Sequence, residues 1–192
     1  MKEIVLASSN PNKLREINEI ASSFGVQFES APDGFNPEEN GKTFEENAFI
    51  KAYEAAKLTN KIALADDTGL CVDALDGAPG IYSARFAKTQ EEKISKMLSL
   101  LKDVPEEKRT AFFICSMVIV NPKGETLFSS VGKINGKIDT KPAGVNGFGY
   151  DPIFFIPEMN KTMAEMTEKE KNTVSHRALA LNKVLDYIIH HA

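Results

Sequence analysis

The sequence predicts a mixed α/β or α+β fold, and three observations point to it. Apolar residues recur at helical spacing over residues 13–24, and a capping-box pattern opens a second helical segment at Thr43. The centre of the chain, residues 110–131, is instead rich in β-branched and aromatic residues, with turn-forming residues between two runs. Helices near the N-terminus combined with a central hairpin are typical of the mixed classes.

The N-terminal half is predicted to alternate strands and helices. In chain order we expect a strand over 4–7, a helix over 13–24, a short strand over 26–29, a helix from Thr43 to about residue 58, a buried strand over 62–65 and a helix over 90–101. Asp66 and Asp67 directly follow the buried strand, and Gly69 is expected to mark the point where the chain turns.

The C-terminal half is predicted to be built around the hairpin. In chain order we expect strands over 110–120, 126–131 and 132–138, a glycine-rich loop over 142–149 and a short apolar strand over 153–156. The turn of the hairpin is Asn-Pro-Lys-Gly at 121–124. A second capping box at Thr167 opens a C-terminal helix to about residue 189, and the pattern leaves open whether that helix is interrupted.

The composition is that of an ordinary globular protein and restricts the classes of function. The 192 residues fit a single domain over 1–192, and no apolar run approaches the roughly 18 residues of a membrane span. The N-terminal run is too short and acidic for a signal peptide, and Cys71 and Cys115 lack metal-ligand spacing. We therefore expect reduced cysteines in a cytoplasmic protein. The net charge of −4 disfavours a nucleic-acid-binding surface but is compatible with a basic pocket for a small anion.

The adjacent acids Asp66 and Asp67 are the most informative pair in the sequence. Two carboxylates at the end of a buried strand are costly unless a cation, basic side chains or a shared proton compensates them. The alternative is an ordinary turn cap, because Asp favours turns. Thr68 adds a hydroxyl group directly after the pair.

A polar loop before the first helix has the character of an anion site. Its residues are Ser8, Ser9, Asn10, Pro11, Asn12 and Lys13. A strand-to-helix connection offers backbone N–H groups and the positive end of a helix dipole, to which Lys13 would add a charge. The loop lacks the glycines and the ending of a Walker A motif, and an ordinary capping loop with an exposed lysine is the alternative.

The helix that begins after Thr43 carries Asn47 and Lys51 on one face, because they are four residues apart. Just upstream, Glu38 and Glu39 could supply a carboxylate to a cation or could be solvated loop residues. A solvated lysine on an amphipathic helix is the alternative interpretation of Lys51.

A glycine-rich stretch over 144–152 could approach a ligand closely. Its Phe148 and Tyr150 have ring faces that could stack on a base, and Asp151 could accept hydrogen bonds from ring N–H groups. The alternative is a turn between strands whose aromatic side chains belong to the core.

A basic cluster follows near the C-terminus. Lys171, His176 and Arg177 are cationic or switchable hydrogen-bond donors within two helical turns. An ordinary helix surface is the alternative for this segment alone. Together with the anion loop, the paired acids and the aromatic loop, however, it indicates a nucleoside phosphate bound with Mg²⁺, which favours one or two carboxylates plus phosphate oxygens.

The ordered set of motifs closely resembles the inosine triphosphatase family of non-canonical purine nucleoside triphosphate pyrophosphatases. The matching segments span nearly the whole chain, at 6–13 (LASSNPNK), 43–48 (TFEENA), 65–70 (ADDTGL), 77–85 (GAPGIYSAR), 147–152 (GFGYDP) and 175–177 (SHR). Small departures are Thr68, where many members have Ser, and Ser9 and Asn146, where Gly is frequent.

The resemblance implies an α/β fold and a defined reaction. The fold would be an elongated mixed sheet flanked by helices, in two lobes with the site in a central cleft, and the protein would be a homodimer. The reaction would be Mg²⁺-dependent cleavage of ITP, dITP or XTP between the α and β phosphorus atoms, which gives the monophosphate and pyrophosphate. The partners would be the nucleoside triphosphate and Mg²⁺, with no nucleic acid and no membrane.

The resemblance also implies roles for individual residues. Asp67 and Lys51 would be catalytic, with Asp67 as the general base, and Glu39 and Asp67 would associate with Mg²⁺. Asp66 would be a second ligand or only a structural neighbour. The substrate would be bound by Ser8, Ser9, Asn10, Pro11, Asn12, Lys13 and Lys171 at the triphosphate, and by Thr68, Phe148, Gly149, Tyr150, Asp151, His176 and Arg177 at the nucleoside and base.

Two other functions compete with this one. A Maf-type nucleotide pyrophosphatase would have an arginine-rich first loop, whereas the loop here carries only Lys13 as a basic residue. A nucleotide-binding sensor without turnover would not need the acids and lysines that this chain retains. Both alternatives are disfavoured by these residues.

Overall fold

The computed structural model describes residues 3–191, whose strands form one seven-stranded mixed sheet. The elements are β1 (Ile4–Leu6), α1 (Pro11–Ser22), β2 (Phe28–Ser30), α2 (Phe44–Thr59), β3 (Ile62–Val72), α3 (Gln90–Leu100), β4 (Thr110–Val120), β5 (Thr126–Ile138), β6 (Phe154–Ile156), β7 (Lys161–Thr162), α4 (Glu168–Val174) and α5 (His176–His191). The strand order is β2-β1-β3-β4-β5-β6-β7, with β1 parallel to β2 and β3, and β6 antiparallel to β5 and β7. The predicted mixed α/β fold, a sheet flanked by helices, is confirmed.

The chain divides into two compact units. The first comprises the chain up to Thr68, then Cys115–Gly132, and the chain from His176 onward. In this unit, Leu6 and Leu64 pack with α1 and α5 in one apolar cluster, whereas the alternate residues of the same strands pack with the alanines of α2 in another. Since successive strand residues face opposite ways, α2 lies on one face of the sheet and α1 with α5 on the other.

The second unit comprises Gly69–Ile114 and Lys133–Ser175. It has its own apolar core, in which α3 packs with the ends of the long strands and with β6. The rings of Phe113 and Phe154 belong to this core, and their centroids are 4.7 Å apart.

Strand β3 is longer than the sequence predicts. The prediction that it ends at the acids and turns at Gly69 is wrong, because β3 runs without interruption to Val72. The apolar pattern resumes at Leu70, and both acids have basic partners that offset the cost of their burial. The acids therefore lie in the middle of a strand.

Strand β5 is also continuous, where the sequence predicts two strands that meet at Gly132. A Cβ atom at Gly132 would overlap the backbone carbonyl oxygen of His176 and crowd the backbone of Ala180. This glycine allows α5 to approach the strand closely and does not break it.

The helix predictions hold with small shifts of their ends. Helix α1 begins two residues early, with Asn10 as its cap and Pro11 in its first turn. Thr43 and Thr167 cap α2 and α4, but only Thr167 forms the complete predicted capping box, because the Glu46 carboxylate accepts from the Lys42 N–H and not from the Thr43 N–H. The C-terminal helix is interrupted at Ser175, whose backbone is extended. Among residues 3–191, no helix is long and apolar enough to cross a membrane.

Candidate active site

Asp66 and Asp67 face opposite sides of the sheet. Leu64 packs with α1 and α5, while Ala63 and Ala65 pack with α2. By alternation, Asp66 lies on the side of α1 and α5 and Asp67 on the side of α2. The hydrogen bonds and ion pairs of the two acids are therefore made with different side chains.

Asp66 is buried among cations. Its Oδ2 lies 2.9 Å from Lys13 Nζ and 3.6 Å from an Arg177 guanidinium nitrogen, and it accepts a 2.8 Å hydrogen bond from the Thr68 hydroxyl. Burial by itself raises the pKa of Asp66, but Lys13 and Arg177 outweigh it and hold that pKa well below its usual range. Asp66 is thus a buried carboxylate that binds side chains of α1 and α5.

Arg177 has a second carboxylate partner, Glu16 of α1. Its side chain is almost fully buried. Burial opposes its charge, but Asp66 and Glu16 more than compensate, so the pKa of the guanidinium is raised. The structure therefore places Arg177 as a bridge between the helices α1 and α5 and the strand β3.

The predicted anion loop joins β1 to α1. Asn10 caps the helix by accepting a 3.0 Å hydrogen bond from the Asn12 N–H, and its own N–H donates to the Ser8 hydroxyl at 3.1 Å. A cavity of about 520 Å³ lies against this loop, lined by Ser8, Ser9, Asn10, Pro11 and Leu14, and by residues 30–36. A helix N-terminus beside a cavity can bind an anion through its backbone N–H groups.

Asp67 is held by two side chains of α2. The Asn47 amide donates to its Oδ2 at 3.2 Å, and Lys51 Nζ lies 3.4 Å from its Oδ1. Burial is the largest influence on the pKa of Asp67 and raises it, Lys51 and Lys13 lower it, and the net shift is upward. A carboxylate with a raised pKa and a nearby ammonium group is suited to accept a proton.

Lys51 also contacts the acid predicted just before α2. Its Nζ lies 3.4 Å from Glu39 Oε1, so one ammonium contacts both Glu39 and Asp67. Burial lowers the pKa of Lys51, but the surrounding carboxylates outweigh it and raise that pKa, which keeps the lysine charged. The structure thus brings three of the predicted catalytic and metal-associated residues together.

These two acids fit a magnesium ion that also binds substrate. Glu39 and Asp67 supply two hard oxygen donors, and about a third of the Glu39 side chain is exposed. In the described part of the chain, no group of three or more His, Cys, Asp or Glu side chains could hold a metal. Mg²⁺ commonly takes one or two carboxylates and completes its octahedron with waters and substrate phosphates, so the donor set suits that ion.

A second group of predicted residues lies in the second unit. Asp151 Oδ2 accepts hydrogen bonds from Lys171 Nζ at 2.8 Å and from the Phe148 N–H at 3.0 Å. Lys171 Nζ lies 4.9 Å from the Phe148 ring centroid. A Cβ atom at Gly147 would overlap the Asp151 carboxylate, and Gly147 has φ +72°, so this position requires glycine.

The side chain of Tyr150 is in a different environment from that of Phe148. Its ring is buried and its hydroxyl donates to the Ser83 carbonyl at 2.9 Å, whereas Phe148 stays half-exposed. Burial raises the pKa of the Tyr150 phenol. Tyr150 therefore packs in the core of its unit, and Phe148 has the more accessible ring for stacking.

The predicted site residues form two groups. The first unit contains Ser8, Ser9, Asn10, Pro11, Asn12, Lys13, Glu39, Lys51, Asp67, Thr68, His176 and Arg177, and the second contains Phe148, Gly149, Tyr150, Asp151 and Lys171. Contacts among Lys13, Asp66, Thr68 and Arg177, among Glu39, Lys51 and Asp67, and among Phe148, Asp151 and Lys171 are all present.

Three residues in these contacts have no role predicted from the sequence. Asn47 binds Asp67, Glu16 binds Arg177, and the Gln90 side chain accepts a 3.1 Å hydrogen bond from the Gly149 N–H. The sequence could have identified Asn47 from its four-residue spacing to Lys51. It could have identified Glu16 from its place one turn before Ile20 on an apolar helix face. Gln90 has no such signal.

Comparisons with known proteins agree with these motifs. The sequence model of the Ham1 family matches residues 4–187. The dITP/XTP pyrophosphatase of Synechocystis sp. is 48% identical over 185 residues, which is 96% of this chain and 94% of the relative. The dITP/XTP pyrophosphatase of Bacillus subtilis is 47% identical over 190 residues, which is 96% of each chain.

Solved structures agree as well. A HAM1 protein from Coxiella burnetii has a TM-score of 0.88 and 41% identity, covering 99% of this chain and 100% of that one. The Staphylococcus aureus Ham1 protein has a TM-score of 0.87 and 40% identity over the whole of both chains. The resemblance predicted from the sequence is confirmed, and this chain belongs to the Ham1 family.

Proposed function

We propose that this protein hydrolyses non-canonical purine nucleoside triphosphates, namely dITP, XTP and ITP, to the monophosphate and pyrophosphate. The observation that carries the proposal is the contact of one buried lysine, Lys51, with both Glu39 and Asp67. It brings together two carboxylates that can bind a hard cation, one of which, Asp67, can also act as the base. Relatives named dITP/XTP pyrophosphatase at 47–48% identity, with nearly full coverage, support the substrate class.

In the proposed reaction, Asp67 accepts a proton from the attacking water. In the ion-free protein burial raises the pKa of Asp67, and Lys51 holds one of its oxygens, which suits a proton acceptor. Mg²⁺, when bound at Glu39 and Asp67, would supply neutralisation of charge on the phosphate oxygens. Lys13 and the backbone N–H groups at the start of α1 would stabilise the remaining phosphate charge.

Selection of the base is proposed to depend on the 6-position of the purine. Hydrogen-bond donors such as His176 would pair with the 6-oxo group of hypoxanthine or xanthine, whereas the Arg177 guanidinium is already bound by Asp66 and Glu16. Adenine has an amino donor there and would leave those groups unpaired, at a cost of about 1–3 kcal/mol per lost partner. This mechanism predicts strong discrimination against ATP.

The test is a panel of substrates at fixed Mg²⁺. Pyrophosphate release should be fast from dITP, ITP and XTP and slow from ATP, GTP and UTP. No release from ITP or XTP would overturn the proposal. A pyrimidine preference would favour the Maf-type activity, and binding without release would favour a sensor.

The role of Asp67 is tested by Asp67→Asn. This change keeps the shape of the side chain and an acceptor for one of its two neighbours, Asn47 or Lys51, but removes the proton acceptor, so turnover should fall by about 10² or more while the protein stays folded. Circular dichroism checks the fold, and the rate is measured with dITP. Near-normal turnover would refute the assignment of the base.

We further infer that the protein works as a cytoplasmic homodimer. The family resemblance implies the dimer, and it implies that the stretch after Gly77 shapes the dimer contact. In that stretch Tyr82 is 61% exposed, and its ring centroid lies 5.5 Å from the Arg85 guanidinium carbon. Two buried free cysteines, Cys71 and Cys115, support a reducing compartment.

A further inference from the structure

The segment that carries Glu39 is fastened to the first turns of α2. The Gly41 N–H donates to Asn47 Oδ1 at 2.9 Å, and the Lys42 N–H donates to Glu46 Oε2 at 2.6 Å. Only one residue separates Glu39 from Gly41, so the first of these hydrogen bonds limits where the Glu39 backbone can lie.

The other end of the same amide binds the proposed base. Asn47 Nδ2 donates to Asp67 Oδ2 at 3.2 Å, and the Asn47 side chain is completely buried. A primary amide has an acceptor and a donor at opposite ends, which a carboxylate or a hydroxyl cannot reproduce. One buried side chain therefore binds both the segment of Glu39 and the carboxylate of Asp67.

The packing leaves little freedom in this arrangement. A Cβ atom at Gly41 would lie 2.7 Å from Asn47 Oδ1 and 2.9 Å from the Asn47 backbone nitrogen. Such distances would force the loop away from the helix. The absence of a side chain at Gly41 is thus what allows the loop to reach the amide.

We propose that Asn47 is a positioning residue that sets the separation of Glu39 and Asp67 and thereby the affinity for the divalent ion. The inference rests on the proposed function, in which these two acids associate with Mg²⁺. Asn47 acts through the acids and touches neither ion nor substrate. Residues that orient metal ligands in this way typically contribute about 10–100-fold to metal affinity or activity.

A second asparagine offers a matched control in the same unit. Asn18 of α1 donates to the Phe28 carbonyl at 3.2 Å and accepts from the Phe28 N–H at 2.9 Å, so it also fastens a neighbouring segment through both ends of its amide. Neither of these hydrogen bonds involves Glu39 or Asp67. Asn18→Ala therefore removes the same kind of bond with no expected effect on the ion.

The experiment compares the full-length protein with Asn47→Ala, Gly41→Ala and Asn18→Ala. Mn²⁺ binding is measured by electron paramagnetic resonance in the presence of an α,β-methylene analogue of ITP, and the Mg²⁺ concentration for half-maximal hydrolysis of ITP is measured separately. We expect the Kd for Mn²⁺ and the Mg²⁺ requirement to rise by about 10–100-fold in Asn47→Ala and to rise also in Gly41→Ala. Asn18→Ala should lower the Tm and leave both values unchanged.

An unchanged Kd for Mn²⁺ in folded Asn47→Ala would overturn the positioning role. If Asn47→Ala does not fold, Gly41→Ala decides, because it disturbs the same hydrogen bond from the loop side. Failure of the wild-type protein to hydrolyse ITP, dITP or XTP would instead refute the proposed function, so the two failures are distinguishable.

Discussion

At the scale of single residues, the two acids of β3 differ in the number of cationic side chains that contact them. Asp66 has Lys13 and Arg177 as partners and is fully buried, so its charge stabilises the packing of α1 and α5. Asp67 has one ammonium partner and an amide, and its pKa moves in the opposite direction. The family resemblance assigns Asp67 as the base, but the sequence leaves Asp66 open between a second ligand and a structural neighbour, because its role depends on cations that are distant in the chain.

Asp66→Asn should therefore be strongly destabilising. It leaves Lys13 without its buried carboxylate and Arg177 with Glu16 alone, and removal of one partner from a buried ion pair costs about 3–5 kcal/mol. Because the folded pKa of Asp66 is lowered, the loss should be constant above about pH 5 and should shrink as the pH falls below the unfolded value near 4.

Urea denaturation of both proteins between pH 3 and 8 measures this difference. The control is Lys61→Ala, which removes an exposed ion pair with Glu3 and Glu29 and should change the stability little. A loss of stability in Asp66→Asn that matches the control, or that grows towards acid, would contradict the role of Asp66.

At the scale of elements, local patterns predict most helices and strands, and long-range contacts decide the remainder. Thr43 and Thr167 identify two helix starts because capping depends on a few neighbouring residues. Gly69 and Gly132 instead suggest breaks that do not occur. Gly132 is explained by the approach of α5, which lies more than 40 residues away in the sequence and leaves no local signal.

Gly132→Ala tests that close approach. The added methyl group would overlap the backbone carbonyl of His176, and since a backbone cannot move as a side chain does, we expect a loss of about 1–3 kcal/mol or more. Thermal denaturation measures it. Ser129→Ala, at an exposed position of the same strand, should leave the Tm nearly unchanged, and equal effects of the two changes would contradict the explanation.

At the scale of the whole molecule, each unit has its own apolar core and its own group of predicted site residues. The composition predicts a domain of ordinary size, and the ordered motifs predict the family, which the comparisons confirm. The contacts of Glu16 and Gln90 depend on residues that their local pattern does not specify, whereas the four-residue spacing of Asn47 from Lys51 at least places those two side chains on one helix face.

The proposed dimer gives a prediction at this scale. Analytical ultracentrifugation should give twice the 21.1 kDa mass of one chain. Tyr82→Glu should shift the protein towards monomer, because it would bury a charge in the contact. Leu58→Glu changes a side chain of similar exposure on α2 and should leave the dimer intact. A monomeric wild-type protein would refute the proposal.

The alternation along β3 has a further consequence for how this protein tolerates change. Asp66 and Asp67 are neighbours whose duties are separated only by the side of the sheet that each faces. A shift of one residue in the pairing of β3 with β1 would turn every side chain over. One acid would then take the position of the other, and Ala65 or Thr68 would take the vacated position. A single inserted or deleted codon in the short connection at Asn60 and Lys61 that caused this shift would therefore separate the acids from their buried partners, although neither acid had been replaced.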